Sequence, residues 1–278
     1  MVSVFENVSD KMSISKYQGI KVEKHAVTHV DDALTVEDAL SISINGEKFM
    51  VTMRTPGDER ELVRGLLYSE DIYRKREPGL DIEIAETDER GYISKINVTI
   101  PTELLGDGYK NSRSLLSVSS CGICGKQDLV EIVQENEIIQ EDLHIGLTEI
   151  NEMYAIMEAS QHQFAQSGGV HAAAIFDKDR NMLTIKEDIG RHNAVDKVIG
   201  SLLLHSNLKH AEFMLVSGRV SYEIVTKAFA ARIPFLAAVS APSSLAVDYA
   251  KELGITLMGF CRTNKFTVYS NVDRVVGI

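Results

Sequence analysis

The sequence predicts an α/β protein with two domains, on three observations. Its 278 residues exceed the usual single-domain size and can bury a sizeable core. Beyond residue 170, short apolar β-rich runs alternate with segments of helical apolar spacing, the rhythm of a mainly parallel sheet covered by helices on both faces. Before residue 110, a hairpin, a helix and two further strands make a separate small α+β unit.

Taken in order, residues 1–20 show no strong periodicity and are expected to form a loose arm; residues 21–110 form the small domain. Within residues 41–53, Ile42, Ile44, Phe49, Val51 and Met53 alternate around Asn45-Gly46, a pair suited to a type I′ turn. A helix follows, with Thr55 as its cap, Pro56 in its first turn, and Leu62, Val63, Leu66 and Leu67 at helical spacing. Strands at 80–85 and 92–100 complete the unit, and residues 111–126 form a linker loop.

Residues 127–278 form the larger domain. A helix is expected over 151–166, then a hairpin of 170–176 and 182–187 across the polar turn 177–181. A helix from Asn193 would bury Val195, Val198, Ile199, Leu202 and Leu203. Strands at 213–217, 235–240 and 255–261 then alternate with helices at 220–232 and 243–253.

Composition narrows the function classes. A net charge of −11 disfavours nonspecific nucleic-acid binding. The chain has no apolar run near the roughly 18 residues of a membrane span and no secretory signal pattern, so a cytoplasmic protein without a membrane partner is expected.

Three cysteines cannot build a disulfide framework, and two of them fall in Cys121-Gly122-Ile123-Cys124-Gly125, preceded by Ser117, Ser119 and Ser120. Glycine and serine mark this stretch as loop. Two thiols there can bind metal, cycle between dithiol and disulfide, or carry sulfur as a persulfide; the plain alternative is a pair of small buried hydrophobes. The third cysteine is Cys261.

Open α/β sheets bind ligands beyond the carboxyl ends of their strands. Four turns of that kind are Asp188-Ile189-Gly190-Arg191-His192-Asn193, Ser217-Gly218-Arg219, Ser240-Ala241-Pro242-Ser243-Ser244, and Phe260-Cys261-Arg262-Thr263-Asn264-Lys265. Each residue has a structural explanation of its own: Asn193 as a helix cap, Gly190 and Gly218 as turn formers, Arg219 as a solvated charge. Together, helix N-termini with Arg191, Arg219, Arg262 and Lys265 suit a phosphorylated ligand. No G-x-G-x-x-G or Walker motif occurs, which counts against a Rossmann dinucleotide site or a P-loop. His171 begins an apolar run and His192 a helix. A zinc deaminase would need a glutamate two residues after its first ligand and a P-C-x-x-C, and both are missing, so no metal site is expected.

These residues also resemble a known family. Thr52-Met53-Arg54-Thr55-Pro56-Gly57-Asp58, the cysteine motif, Ser167-Gly168-Gly169-Val170-His171-Ala172-Ala173, and the run from Glu187 to Lys197 are similar to the formate dehydrogenase accessory sulfurtransferase family, FdhD. Ser217-Gly218-Arg219 and Gly259-Phe260-Cys261-Arg262 extend the match over nearly the whole chain. The resemblance implies a larger domain of cytidine-deaminase-like three-layer α/β/α fold and a homodimer. It implies a sulfurtransferase that takes sulfur from a cysteine desulfurase and delivers it to the bis(molybdopterin guanine dinucleotide) form of the molybdenum cofactor, for formate dehydrogenase. Cys121 would carry the persulfide, with Cys124 either displacing the outer sulfur by forming a disulfide or assisting loading. The guanine dinucleotide, and GDP as its mimic, would occupy Phe260, Cys261, Arg262, Thr263, Asn264 and Lys265, together with Ser217, Gly218, Arg219, Arg191 and His192. Two other classes fit the chemistry: a dithiol redox protein using Cys121 and Cys124, and a nucleotide-binding regulator with inert cysteines.

Overall fold

Two sheets, joined by a pair of crossing helices, organise the chain. The computed structural model describes residues 13–24, 26–77, 79–109 and 137–277. Strands β1 (Ile14–Glu23) and β2 (Ala26–Thr35) pair antiparallel as a long ribbon. The expected loose arm of residues 1–20 is thus corrected from Ile14 onward. Its strands escaped a periodicity reading because neither face is buried: Tyr17, Ile20, Val22 and Val27 all stay exposed. The ribbon is fixed at its base, where Val36 N donates to Ser13 O and the Thr35 and Ser167 hydroxyls lie 2.7 Å apart.

The small domain is a four-stranded sheet with one helix. Strands β3 (Asp38–Ile44) and β4 (Glu47–Arg54) meet at Asn45 and Gly46, whose φ angles of 51° and 82° make the expected type I′ turn. After helix α1 (Glu59–Ser69) come β5 (Asp81–Thr87) and β6 (Ile93–Thr99), giving the order β4-β3-β6-β5. Leu62, Val63, Leu66 and Leu67 of α1 close over Leu40, Ile42, Ile44, Ile96 and Val98. Thr55 does not cap this helix. The helix begins after Asp58, whose φ is 58°, and Thr55 is engaged by the other domain.

In the larger domain, β7 (Ile145–Gly146) leads into α2 (Leu147–Ala159) and α3 (His162–Ser167), so the single helix expected over 151–166 is broken at Ser160 and Gln161. The break lets the Glu187 carboxylate accept from the backbone N–H groups of Gln163 and Phe164, at 2.8 and 2.9 Å, at the start of α3. Next come β8 (His171–Phe176), β9 (Met182–Asp188), α4 (Arg191–Leu204), β10 (Phe213–Val216), α5 (Tyr222–Ala230), β11 (Phe235–Ala238) and α6 (Ser244–Leu253). Strands β12 (Thr256–Arg262), β13 (Lys265–Val268) and β14 (Val275–Val276) end the described chain, β14 pairing with β7.

The six-stranded sheet has the order β13-β12-β11-β10-β8-β9. It is mixed, which corrects the expectation of a mainly parallel sheet. Only β10, β11 and β12 run parallel to their neighbours through helical crossovers; the short turns before β9 and β13 force antiparallel returns. Strand alternation divides the core. Ala173, Ile175, Met214, Val216, Leu236 and Ala238 face α4, α5 and α6, while Ala172, Ala174, Phe213, Leu215 and Ala237 face Ile150, Met153 and Met157 of α2. The result is three layers.

The domains touch where α1 crosses α4. A Cβ on Gly65 would lie 1.9 Å from the Asp196 carbonyl oxygen, and one on Gly200 would lie 1.8 Å from that of Glu61. Only glycine permits this approach of backbone to backbone. Lys227 of α5 completes the joint, reaching Asp196 at 2.7 Å and Glu70, just beyond α1, at 3.2 Å.

Candidate functional site at the carboxyl edge of the sheet

Pairing fixes where the predicted turns lie. Because β8 is antiparallel to both β9 and β10, strands β9 to β12 share one direction, and their carboxyl ends line one edge. Contacts between consecutive loops make that edge continuous. Gly218 abuts His171 and Arg191, Val220 bridges to Pro242, Pro242 meets Gly259, and Phe260 N donates to Ser240 O at 3.1 Å. One detail differs from expectation: Phe260 to Lys265 is a strand-to-strand hairpin between β12 and β13, not a strand-to-helix turn.

Charge is the edge's distinguishing property. Arg191, Arg219, Arg262 and Lys265 all lie on it, and none forms an ion pair among the described residues, in a chain of net charge −11. The Nε atom of Arg191 is buried without a hydrogen-bond partner. Residues 221 and 243 precede the N-termini of α5 and α6, whose free backbone N–H groups add partial positive charge. Unpaired cations beside helix N-termini favour a polyanionic ligand.

The run from Glu187 to Lys197, although it borders the edge, is mostly spent on joining the domains. Fully buried Asp188 accepts from the backbone N–H groups of Thr55 and Gly190 at 3.2 and 2.8 Å and from Asn193 Nδ2 at 3.0 Å, with Lys197 Nζ at 2.8 Å. Lys197 also donates to Thr55 O at 3.0 Å, and Asn193 Nδ2 to Met53 O at 2.8 Å. Asn193 is therefore a cross-domain tie and not a helix cap. Arg191 and His192, immediately before it, remain at the edge. His192 Nε2 lies 3.1 Å from both Ser221 Oγ and Glu223 Oε2.

Ser217 holds β8, its hydroxyl accepting from Ala172 N at 2.9 Å, and Gly218 leaves room for the His171 ring. Ser221 and Glu223 join the site without having been selected from sequence; His171, noted there as the start of an apolar run but not among the ligand-binding residues, joins through its position opposite Asp188, which only pairing reveals. Burial, then Arg191 and Arg219, hold the His171 imidazole below its ordinary pKa, so it is uncharged near neutrality.

The Phe260 to Lys265 hairpin divides. Phe260, in the left-handed region with φ of 55°, Arg262, Thr263, Asn264 and Lys265 are exposed. Cys261 alone turns inward, into the core under α2, and burial pushes its thiol up to about 11. Its thiol lies beside the Tyr154 hydroxyl, so of the hairpin's candidate residues it is the one without an exposed side chain.

Cys121 and Cys124 lie outside the described residues. Their described flanks are anchored at the opposite, amino edge: Gly108 N donates to Asp71 O at 3.1 Å beyond α1, and Arg232, beyond the end of α5, donates to Glu137 O. A cleft of about 300 Å³ between Lys178, Lys209, His210 and Glu212 also opens at that edge and includes none of the candidate residues. No described helix is long and apolar enough to cross a membrane.

Comparison with known proteins gives the chain a lineage. A sequence model described as the FdhD/NarQ family matches residues 35–276. A protein of Nocardia farcinica named "Sulfur carrier protein FdhD" is 42% identical over 248 residues, covering 88% of each chain. One of the same name from Sulfolobus acidocaldarius is 37% identical over 267 residues, covering 95% of this chain and 99% of its own. In fold, the chain is similar to a crystal structure described as a formate dehydrogenase accessory protein from Desulfotalea psychrophila, with a TM-score of 0.70 at 22% identity over 95% and 99% of the two chains. With the family's pattern matched from the end of β2 to β14 and relatives aligned over most of their length, the chain belongs to the FdhD/NarQ family.

Proposed function

We propose that the chain is a sulfurtransferase of formate dehydrogenase maturation. It accepts sulfur on Cys121 from a cysteine desulfurase and passes it to the molybdenum cofactor in its bis(molybdopterin guanine dinucleotide) form. The cofactor is cargo, held by its nucleotide part at the carboxyl edge of a cytidine-deaminase-like domain. The single observation that carries this reading is the set of four unpaired cations along that edge, in a family whose relatives are named sulfur carriers. The reading includes a homodimer working in the cytoplasm.

The chemistry balances with two thiols. The Cys121 thiolate attacks the outer sulfur of the desulfurase persulfide; the new S–S bond forms as the old one breaks, and the desulfurase thiolate leaves. If the Cys124 thiolate then attacks the sulfur of Cys121, a disulfide forms and hydrosulfide departs as the ligand for the metal. Alternatively, Cys124 assists loading only. At the carboxyl edge, Arg191, Arg219, Arg262 and Lys265 neutralise the diphosphate, and exposed Phe260 offers a face for the guanine.

Intact mass after incubation with a cysteine desulfurase and cysteine tests the sulfur step. One added sulfur on the wild type and none on a folded Cys121→Ala protein is the expected result. Loss of two hydrogens instead would favour the dithiol redox reading, and an undiminished adduct on Cys121→Ala rejects the assignment. In calorimetry with GDP, Arg219→Ala is expected to bind about tenfold more weakly while loading sulfur normally.

A further inference from the structure

At the middle of the carboxyl edge, three polar side chains converge with their polar groups unused. His171 opens β8 opposite Asp188 in the strand register. Its ring packs against Gly218, where an added Cβ would sit 3.2 Å from Nδ1 and 3.5 Å from Cβ of Arg191. Arg191 Nε is buried with no acceptor, and Arg219, the residue after Gly218, is exposed and close enough to act on the imidazole through its charge. The nearby Ser217 hydroxyl is taken by the Ala172 amide at 2.9 Å. No described residue supplies either His171 ring nitrogen with a hydrogen bond.

An imidazole beside two guanidiniums would ordinarily be a poor neighbour for them. Here burial and those same charges keep it uncharged near neutral pH, so it costs no repulsion and still presents one N–H and one lone pair. Guanidiniums hold a phosphate by charge and by their planar forks, and a third, uncharged donor between them fixes the orientation of the group. Gly218 has its own part in this arrangement, because a side chain there would press on the ring.

We propose that His171 is a further ligand-contact residue of this edge, its ring N–H donating to a diphosphate oxygen flanked by the guanidiniums of Arg191 and Arg219. The proposal rests on the reading of the edge as a guanine-nucleotide site. GDP is the probe, titrated by calorimetry into wild type, Arg219→Ala, His171→Ala and His171→Gln, each checked by circular dichroism and by sulfur loading. We expect His171→Ala to weaken GDP about tenfold, as for a hydrogen bond to a charged group, and His171→Gln, which keeps an N–H donor, to regain part of the loss. In nitrogen-15 spectra, the His171 ring resonances are expected to move on GDP saturation, a change that a residue serving only the fold would not show. Native GDP affinity in His171→Ala with a stationary ring, while Arg219→Ala binds weakly, overturns the role of His171 alone. No GDP binding by wild type, or equal binding by all four proteins, overturns the nucleotide reading and this proposal with it.

Discussion

Lys197 Nζ lies 2.8 Å from Asp188 Oδ2 with both side chains almost wholly buried, and the same ammonium donates to the Thr55 carbonyl of the other domain. One buried ion pair thus closes the sheet edge and ties the domains together. Lys197→Met leaves the Asp188 carboxylate buried without its counter-charge, and is expected to cost about 3–5 kcal/mol. Asp188→Asn combined with Lys197→Met removes that stranded charge and should recover a large part. Urea denaturation of the single and double variants checks both values.

The α1–α4 crossing gives a steric prediction. Gly200→Ala places a methyl where the Glu61 carbonyl already sits, so the helices must separate, at a cost of at least about 1–3 kcal/mol. Gly79→Ala, where nothing lies within 4 Å of the new Cβ, is the control and should move the midpoint little.

Glu212 makes stability depend on pH in the direction opposite to a paired carboxylate. Burial, with Glu141 nearby, pushes it up to about 7 from 4.5. Between those values the folded protein binds more protons than the unfolded chain, so this group stabilises most below pH 4.5 and its contribution is lost as pH rises to about 7. Glu212→Gln is therefore expected to raise the melting temperature at pH 8 relative to wild type, with little gain at pH 4.5. Partial exposure limits the effect to about 1 kcal/mol. Melting curves at the two pH values decide it; an equal gain at both would remove Glu212 as the cause.

Cys261 is expected to resist alkylation. With its thiol near 11, the thiolate is scarce at pH 7.5, and the core screens it further. Iodoacetamide should label it at least roughly a hundredfold more slowly in the native protein than in urea. Peptide mapping at timed intervals measures this, and rapid native labelling would place the thiol at the surface instead.

Local chemistry was readable where it acts locally. Asn45-Gly46 demands positive φ at both residues, and any sequence context would make it a turn; the strand-end loops with Arg191, Arg219 and Arg262 were visible because each follows its own apolar run. Partnerships across the chain were not readable. Thr55 looks like a cap from its neighbours, yet its hydroxyl serves Ile189, 134 residues away, and nothing near either residue announces the other. The inward turn of Cys261 was hidden for a different reason: β12 is buried on both faces up to Gly259, so apolar content did not reveal which parity stays buried beyond it. The β1–β2 ribbon lacked any buried face to imprint a pattern.

Where Gly65 and Gly200 meet, backbone rests on backbone and no side chain is present to rotate or re-pack. The two sheets are therefore expected to open and close as one cooperative body. Amide protons in β3 and β6 are then expected to exchange with solvent through the same global opening as those of β10 and β11. A ligand that binds only the folded protein would slow all of them together, by the factor 1 + [L]/Kd.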